Sequence, residues 1–369
     1  MALRTLSGKH VDPRKGRGAA INPEGRFEKV EREAYDDGWA HADSADEPAL
    51  KTQVTEEHAA SIISRNQSPD IPFTQSINPY QGCEHGCIYC YARPTHAYRN
   101  LSPGVDFETR IFAKVNAALL LRRELSKPGY RCEVISLGAN TDPYQPAERK
   151  LNITRGILEV CAEFNQPIGI ITKNALVERD LDILVPMAQK RLVNVFVSVN
   201  NLDHDIARRL EPRCVAPLRR IETIRALSQA GVPVGVLVAP VIPFLTDDQI
   251  EAVLEAAYAA GATQAGYVVL RLPYEVKTLF RDWLERHYPL KAKHVMSRVH
   301  DLRGGRDNDP NFGSRMRGQG EFAELLSKRF AIAKRRIGYD ARGRMMRNAS
   351  LDTTLFRVPG PAEKQMSLF

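Results

Sequence analysis

The run VPVGVLVAPVIPFL, residues 232–245, is the most apolar stretch of the 369-residue chain. A membrane-spanning helix needs about 20 consecutive apolar residues; this run is shorter, and Pro233, Pro240 and Pro243 interrupt it. Proline removes an amide donor and breaks helix interiors, so the run reads as a buried strand with its exit loop. Near-continuous apolar character, rather than strict alternation, marks a strand covered on both faces, as in a parallel sheet.

Working outward, five more short runs rich in Val and Ile carry the same signal: FTQSINPY (73–80), CEVISLG (132–138), PIGIITK (167–173), VNVFVSVN (193–200) and AGYVVLRLP (265–273). Amphipathic stretches lie between and after them, and predict helices over 111–125, 149–164, 180–191, 217–230, 247–260 and 276–287, with a short helical turn near Ile206. Ile111, Val115 and Leu119 keep an i, i+4 spacing, Thr246-Asp247-Asp248 offers a helix cap, and Gly231 and Gly261 stand where helices close. Six strand-helix units predict an α/β fold, a partial (β/α)6 TIM-like barrel with its reacting groups at the C-terminal strand ends. An open doubly wound sheet is the alternative, and it gives no reason for a cysteine-rich loop directly after the first strand. No internal repeat of fixed period is visible.

The domain plan follows from where this alternation starts and stops. Residues 1–70 are polar and charge-alternating and read as a mostly disordered N-terminal arm, part of which can wrap the core. Residues 71–290 form the barrel core, 291–340 a basic helical extension around a Gly- and Arg-rich loop, and 341–369 a flexible tail. The N-terminus MALRTLSGKHVDPRKGRG lacks a hydrophobic segment, so no secretory signal and a cytoplasmic location are expected. Formal charge is +8, and residues 291–347 hold 15 Lys/Arg against 6 Asp/Glu, so the excess is concentrated there. Such a concentration is a footprint for phosphate backbones, or else a solvated helix face.

Three of the six cysteines, Cys83, Cys87 and Cys90, fall within eight positions of GCEHGCIYCYARP (82–94), whereas Cys132, Cys161 and Cys214 are scattered. Crowding of this kind favours a metal centre over disulfides. A zinc site would recruit His85 or His96 as fourth ligand. An iron-sulfur cluster would instead leave one iron open.

C-x-x-x-C-x-x-C with an aromatic, Tyr89, before the third cysteine, placed after a first barrel strand, resembles the radical S-adenosylmethionine superfamily over residues 72–290. INPYQGC (77–83), LGANTDPYQPAE (137–148), ITKNALVERD (171–180) and LEPRCVAPLRR (210–220) resemble its spore photoproduct lyase and DNA repair photolyase-like branch. The resemblance implies that Cys83, Cys87 and Cys90 hold a 4Fe-4S cluster whose open iron binds S-adenosyl-L-methionine. One electron, from a donor such as flavodoxin or ferredoxin, then gives a 5'-deoxyadenosyl radical that abstracts hydrogen. It implies cofactor contacts from Tyr89, Lys173 and Ser198, with Thr141 or Asp142 taking the ammonium because the superfamily's Gly-Gly-Glu run is replaced by Gly138-Ala139-Asn140-Thr141-Asp142. Locally, Lys173 could instead pair with Asp142 or Glu178. No cysteine occurs in GANTD, where this branch would place a hydrogen donor, and Cys214 is the remaining candidate. Core packing is the reading for Cys132 and Cys161, and is open for Cys214 too.

The sequence QMSLF (365–369) resembles the peptide by which bacterial repair proteins dock on the sliding clamp, with Gln365 as anchor and Leu368 and Phe369 as the apolar knob. With the basic extension, it points to DNA as partner and to repair or modification as the reaction. Modification of RNA or protein, or a zinc-stabilised nucleic-acid-binding protein without catalysis, are the alternatives. No membrane partner is expected.

Overall fold

The computed structural model describes residues 16–27, 50–339 and 351–360. Its strands are β1 (Gln53–Glu57), β2 (Ile63–Arg65), β3 (Gln75–Ile77), β4 (Tyr80–Gln81), β5 (Arg110–Lys114), β6 (Ile135–Leu137), β7 (Ile168–Thr172), β8 (Val193–Ser198), β9 (Val234–Val241) and β10 (Gln264–Val269). The helices are α1 (Val105–Thr109), α2 (Ala117–Leu125), α3 (Glu148–Leu151), α4 (Ile153–Phe164), α5 (Leu181–Gln189) and α6 (His204–Leu210). They continue with α7 (Pro217–Gln229), α8 (Ile250–Ala259), α9 (Val276–His287), α10 (Pro289–Leu302), α11 (Ser314–Arg317) and α12 (Glu321–Ile337).

All six expected core strands are present, as β3, β6, β7, β8, β9 and β10. They lie side by side in chain order and in parallel, with β2 added antiparallel on the outer edge of β3. No ladder joins β10 to β3 among the described residues, so this is the partial barrel. β8 shows why the strands read as they do: Val193, Val195 and Val197 are buried, and so are Asn194 and Ser198 between them. Where β8 meets β9, a Cβ on Gly235 would stand 2.5 Å from the Phe196 ring. Only glycine lets that ring cross the neighbouring strand.

Helix ends follow local chemistry. Asp203 accepts the amides of Asp205 and Ile206 to start α6, and Pro217 opens α7. Gly231 and Gly261, at φ +81° and +104°, close α7 and α8 as the sequence predicts. Thr246 does not cap; its hydroxyl accepts the Ile242 amide.

Three expectations are corrected. Residues 111–125 were read as one helix, but Arg110–Lys114 is a strand, parallel to β1 and antiparallel to β4. Burial alternates along it, with Ile111 and Ala113 inward, and Leu119, assigned to the buried face, is exposed. The N-terminal arm, expected to be mostly disordered, carries β1 and β2; that part of it wraps the core is as expected, with Arg17 of residues 16–27 donating to the carbonyls of Glu108 and Leu50. The tail at 351–360 is docked: Arg191 pairs with Asp352 at 2.9 Å, and Phe356 packs on Tyr130 and Phe164.

The basic extension closes the open side of the barrel. Buried Arg303, at the end of α10, donates to the carbonyls of Val269 and Leu270 at the end of β10 and to those of Ser314 and Arg315. On the other edge, beyond β2, Asp70 accepts the Gly313 amide at 2.7 Å and the Arg315 side chain at 2.5 Å. Residues 313–317 therefore form a strap from one edge of the sheet to the other. Much of the positive charge is used internally, since Arg329 pairs with Glu251 and Arg336 with Glu255.

Candidate active site

Because the six strands are parallel, their C-terminal ends deliver their loops to one mouth. The cysteine loop follows β3 and β4, GANTD follows β6, Lys173 follows β7, Ser198 ends β8, and Arg271 follows β10.

The cysteine loop is held by buried charge. Arg93 donates to the carbonyls of Gly86 and Cys87 at 3.1 and 2.9 Å, and to Glu108 at 2.5 Å. Glu108, also fully buried, accepts the amides of Gly18 and Ala19, which fastens the N-terminal segment behind the loop. Gly86 sits at φ +67°, and a Cβ there would meet the Glu108 carboxylate at 2.7 Å. The loop needs glycine at this point for both reasons.

Cys83 and Cys87 are buried and Cys90 is half-buried. Burial, reinforced by the charges of Cys87 and Cys83, pushes the Cys90 thiol up to about 12. A bond from the Cys214 thiol, against the opposing effect of burial, holds Cys87 down to about 7. Lys173 is half-buried. Burial would lower it, but the negative charges of Cys87 and Glu211 prevail and keep the ammonium charged.

Neither local partner considered for Lys173 takes that ammonium. Asp142 accepts the Lys173 backbone amide at 2.7 Å, and Glu178 pairs with Arg219. Asp142 also accepts the Thr172 hydroxyl and the Tyr144 amide and faces His85 at 3.3 Å, so both its oxygens are engaged. It is a positioning residue, which locks the end of β7 to the cysteine loop. Burial would depress His85, but Asp142 outweighs it and holds the imidazole well above its ordinary range. The Thr141 hydroxyl donates to the Tyr80 carbonyl at 3.0 Å. Ser198 is buried, with its carbonyl accepting from Arg220. Tyr89 is buried, and its hydroxyl is committed to Glu211, which also pairs with Arg220.

The segment around Cys214 is part of this site. Ile88 donates its amide to the Leu210 carbonyl at 3.0 Å, Arg213 donates its amide to His85 at 3.3 Å, and the Cys214 sulfur lies 3.8 Å from that of Cys87. Cys132 and Cys161 lie elsewhere, Cys161 fully buried in α4 as core packing. Sequence reasoning also missed Asn200 and Asn201, two buried amides just past β8, whose Asn200 Nδ2 and Asn201 Oδ1 have no partner among the described residues. The doubled asparagine directly after an apolar strand was the available signal.

The donor set fits an iron-sulfur cluster. Three thiols share one loop, Lys173 and His85 are in range to offset their negative charge, and unpartnered buried amides face the same mouth region. Among the described residues no three His, Cys, Asp or Glu side chains converge on a single-ion site; a cluster takes one thiol per iron and spaces its ligands more widely. The histidines that a zinc site would recruit are turned to other partners. His85 meets Asp142 and Asn174, and His96 bonds the Arg110 carbonyl and packs edge-on against Phe107.

A partial parallel barrel with a three-cysteine loop at its C-terminal mouth defines the class of enzymes that activate a cofactor at a cluster with an open iron. The chain belongs to the radical SAM superfamily, whose family model matches residues 77–257. An uncharacterized protein of Mycobacterium tuberculosis is 38% identical over 277 residues, covering 74% of this chain and 77% of that one. One from Methanocaldococcus jannaschii is 25% identical over 242 residues, covering 65% and 85%. Among solved structures, a cysteine-to-serine mutant of spore photoproduct lyase has the same fold, with a TM-score of 0.55 at 14% identity, covering 77% of this chain and 79% of that one. A second mutant of that lyase, with bound AdoMet and dinucleoside spore photoproduct, gives a TM-score of 0.54 over the same shares. No described helix is long and apolar enough to cross a membrane.

Proposed function

We propose that the protein is a radical S-adenosylmethionine enzyme of the spore photoproduct lyase-like branch that acts on DNA, in repair or modification. The observation that carries this is the meeting of the cysteine loop with Lys173, a half-buried cation that pairs with no carboxylate among the described residues, at the C-terminal mouth of the barrel. In this reading Cys83, Cys87 and Cys90 hold a 4Fe-4S cluster. When bound, cluster and S-adenosylmethionine together supply the electron and the adenosyl radical that abstracts hydrogen from an unreactive carbon.

The chain's own residues then bind and exclude. Lys173 receives the cofactor carboxylate, an anion that offsets the cost of burying the ammonium. Thr141 and Ser198 would contact the cofactor, and Asn200 and Asn201 would supply the amide donors and acceptors a ribose or amino-acid group needs. Tyr89 contributes its backbone and ring, held by Glu211. Cys214, beside the loop, is the candidate hydrogen donor to the product radical.

The DNA assignment is supported by the remaining cations of the extension and the rim, such as Lys293, Arg306 and Arg271, which pair with no carboxylate among the described residues, and by QMSLF. Gln365, Leu368 and Phe369 lie outside the described residues, and we propose them as a sliding-clamp contact. Flavodoxin or ferredoxin is the proposed electron donor, and the cytoplasm the proposed location.

Anaerobic purification is the first test. The expected protein is brown, contains iron and sulfide in equal amounts, and releases 5'-deoxyadenosine from S-adenosylmethionine on reduction, faster with ultraviolet-irradiated DNA than without. A colourless protein with stoichiometric zinc ends the radical reading. Equal cleavage with and without DNA, and faster cleavage with RNA or a protein extract, moves the substrate to those classes. For the tail, removal of 365–369 is expected to abolish clamp binding, and unchanged binding overturns that role.

A further inference from the structure

The exposed aromatic side chains of the described residues are unevenly placed. Phe27, Tyr91, Tyr98, Phe244, Tyr274 and Phe312 are exposed: Tyr91, Phe244 and Tyr274 on loops at the barrel mouth, Phe312 beside the strap, Phe27 on the N-terminal segment packed beside the cysteine loop, and Tyr98 on the short 3-10 helix Arg93–Arg99 that follows that loop. Outer helix faces expose aliphatic residues instead, such as Leu119 and Leu218. Exposed rings scattered singly need no explanation, but rings gathered on one face do.

Around Arg26 they form a built surface. Its guanidinium lies 3.8 Å from the Tyr274 ring centre, 5.2 Å from Phe27 and 5.7 Å from Tyr98, and Phe27 and Tyr98 are themselves 5.1 Å apart. Tyr98 is 68% exposed and Tyr274 63%. Tyr274 stands at φ +50°, a left-handed conformation that is costly for a residue with a side chain. The surrounding loop maintains that cost while keeping the ring outward.

The patch continues toward the cysteines. Tyr91 follows Cys90 directly, its hydroxyl held by the Ala139 carbonyl, and Arg271 stands 5.7 Å over its ring. Arg271 has no carboxylate partner among the described residues; its Nε is buried and unbonded, and its Nη1 meets the Met316 sulfur of the strap at 3.5 Å. Arg26 likewise has no carboxylate partner among the described residues, and apart from the rings it makes a long contact to the Pro94 carbonyl. Cations left without acids, interleaved with exposed rings, are what a nucleic-acid single strand recognises: phosphates meet the guanidinium groups and unstacked bases meet the rings. An enzyme that must reach an atom inside a base or sugar also needs that nucleotide out of the duplex.

We infer that Arg26, Phe27, Tyr98 and Tyr274, continued inward by Tyr91 and Arg271, bind single-stranded or locally unpaired DNA and lead it to the cysteine loop. This rests on the nucleic-acid reading above and adds which strand state is bound, and where.

The test is fluorescence anisotropy with the full chain and labelled oligo-dT of about 16 nucleotides, against the same length as duplex, as oligo-rU and as poly-glutamate, over a salt series. Expected is tighter binding of oligo-dT than duplex. Tyr98→Ala with Tyr274→Ala should weaken it roughly tenfold to a hundredfold, as loss of base stacking predicts. Arg271→Gln should weaken it and reduce the salt slope by about one ion. Leu218→Ser, on the far face, serves as the control, and thermal melting verifies that each variant is folded. Photocrosslinking of bromouracil-substituted oligo-dT should map to peptides containing Tyr98 or Tyr274. Binding of oligo-dT that the ring variants leave unchanged, or crosslinks confined to α12, overturns this surface while leaving the nucleic-acid reading intact. Preference for oligo-rU or poly-glutamate overturns the assignment to DNA. Failure of the native chain to bind any oligonucleotide at low salt overturns both.

Discussion

The sulfurs of Cys87 and Cys214 lie 3.8 Å apart across a sequence separation of 127 residues. The contact is held by backbone, since Ile88 bonds to Leu210 and Arg213 to His85 on either side of it. Cys214 is therefore a neighbour of a proposed cluster ligand without belonging to its loop, and the two thiols should differ sharply on substitution. Cys87→Ser is expected to lose the iron of anaerobically reconstituted protein. Cys214→Ser should retain it, and should release several-fold more 5'-deoxyadenosine per product if its thiol quenches the product radical. Iron and sulfide assays decide the first point and product ratios the second. Loss of iron in both variants would show that Cys214 is itself needed for the cluster.

The same proximity predicts a chemical cross-link. Oxidised glutathione, applied to the cluster-free protein, should take two electrons and two protons from this pair and leave a Cys87–Cys214 disulfide, visible by non-reducing peptide mapping. Recovery of both cysteines as separate glutathione adducts would mean the pair does not close.

Glu108 is the keystone behind the cysteine loop. Glu108→Gln keeps its shape but leaves Arg93, fully buried, without its counter-charge. Breaking one side of a buried pair costs about 3–5 kcal/mol, so the urea midpoint should fall correspondingly. Trypsin should also cut more readily at Arg17 and Arg26, because the amides of Gly18 and Ala19 lose their acceptor's charge. An unfolding free energy within about 1 kcal/mol of the native protein's would count against this role.

The strap is held at both ends, so loosening either end should be felt at the other. Burial, with Arg271 beside it, brings Arg303 down to about 10, and its fork serves four carbonyls that a lysine cannot reach together. Arg303→Lys and Asp70→Asn are each expected to raise hydrogen exchange in both 66–70 and 313–320. Faster exchange at only one end would show that these residues do not bridge the barrel edges.

The barrel was legible because each buried strand is a contiguous apolar run, and the helices between show their own period. The cysteine loop was legible because three thiols within eight positions have few other uses. What stayed hidden depends on pairs remote in sequence. Asp70 and Arg315 meet across 245 residues, and nothing local to either announces the strap. β5 was misread because Ile111 and Ala113 are too few to reveal alternation, and Val115 and Leu119 happened to extend a helical spacing. Lys173 was rightly placed at a strand end, but Asp142's carboxylate proved to be occupied by backbone and hydroxyl donors, which no motif shows.

His96 carries a prediction about pH. It is fully buried, its Nε2–H donates to the Arg110 carbonyl at 2.9 Å, and its Nδ1 has no partner among the described residues. A proton added at Nδ1 would place a buried charge with no acceptor, and burial accordingly lowers the group from 6.5 to about 4. Below pH 6.5 the unfolded chain takes up this proton and the folded chain does not. Stability should therefore fall as pH drops from 6.5 toward 4 and then level off, with a limit of about 3 kcal/mol from this residue. Urea unfolding at stepped pH is expected to show that slope in the native protein and to lack it in His96→Gln, whose side chain can still donate to the Arg110 carbonyl. Equal slopes in the two proteins would place the acid sensitivity elsewhere.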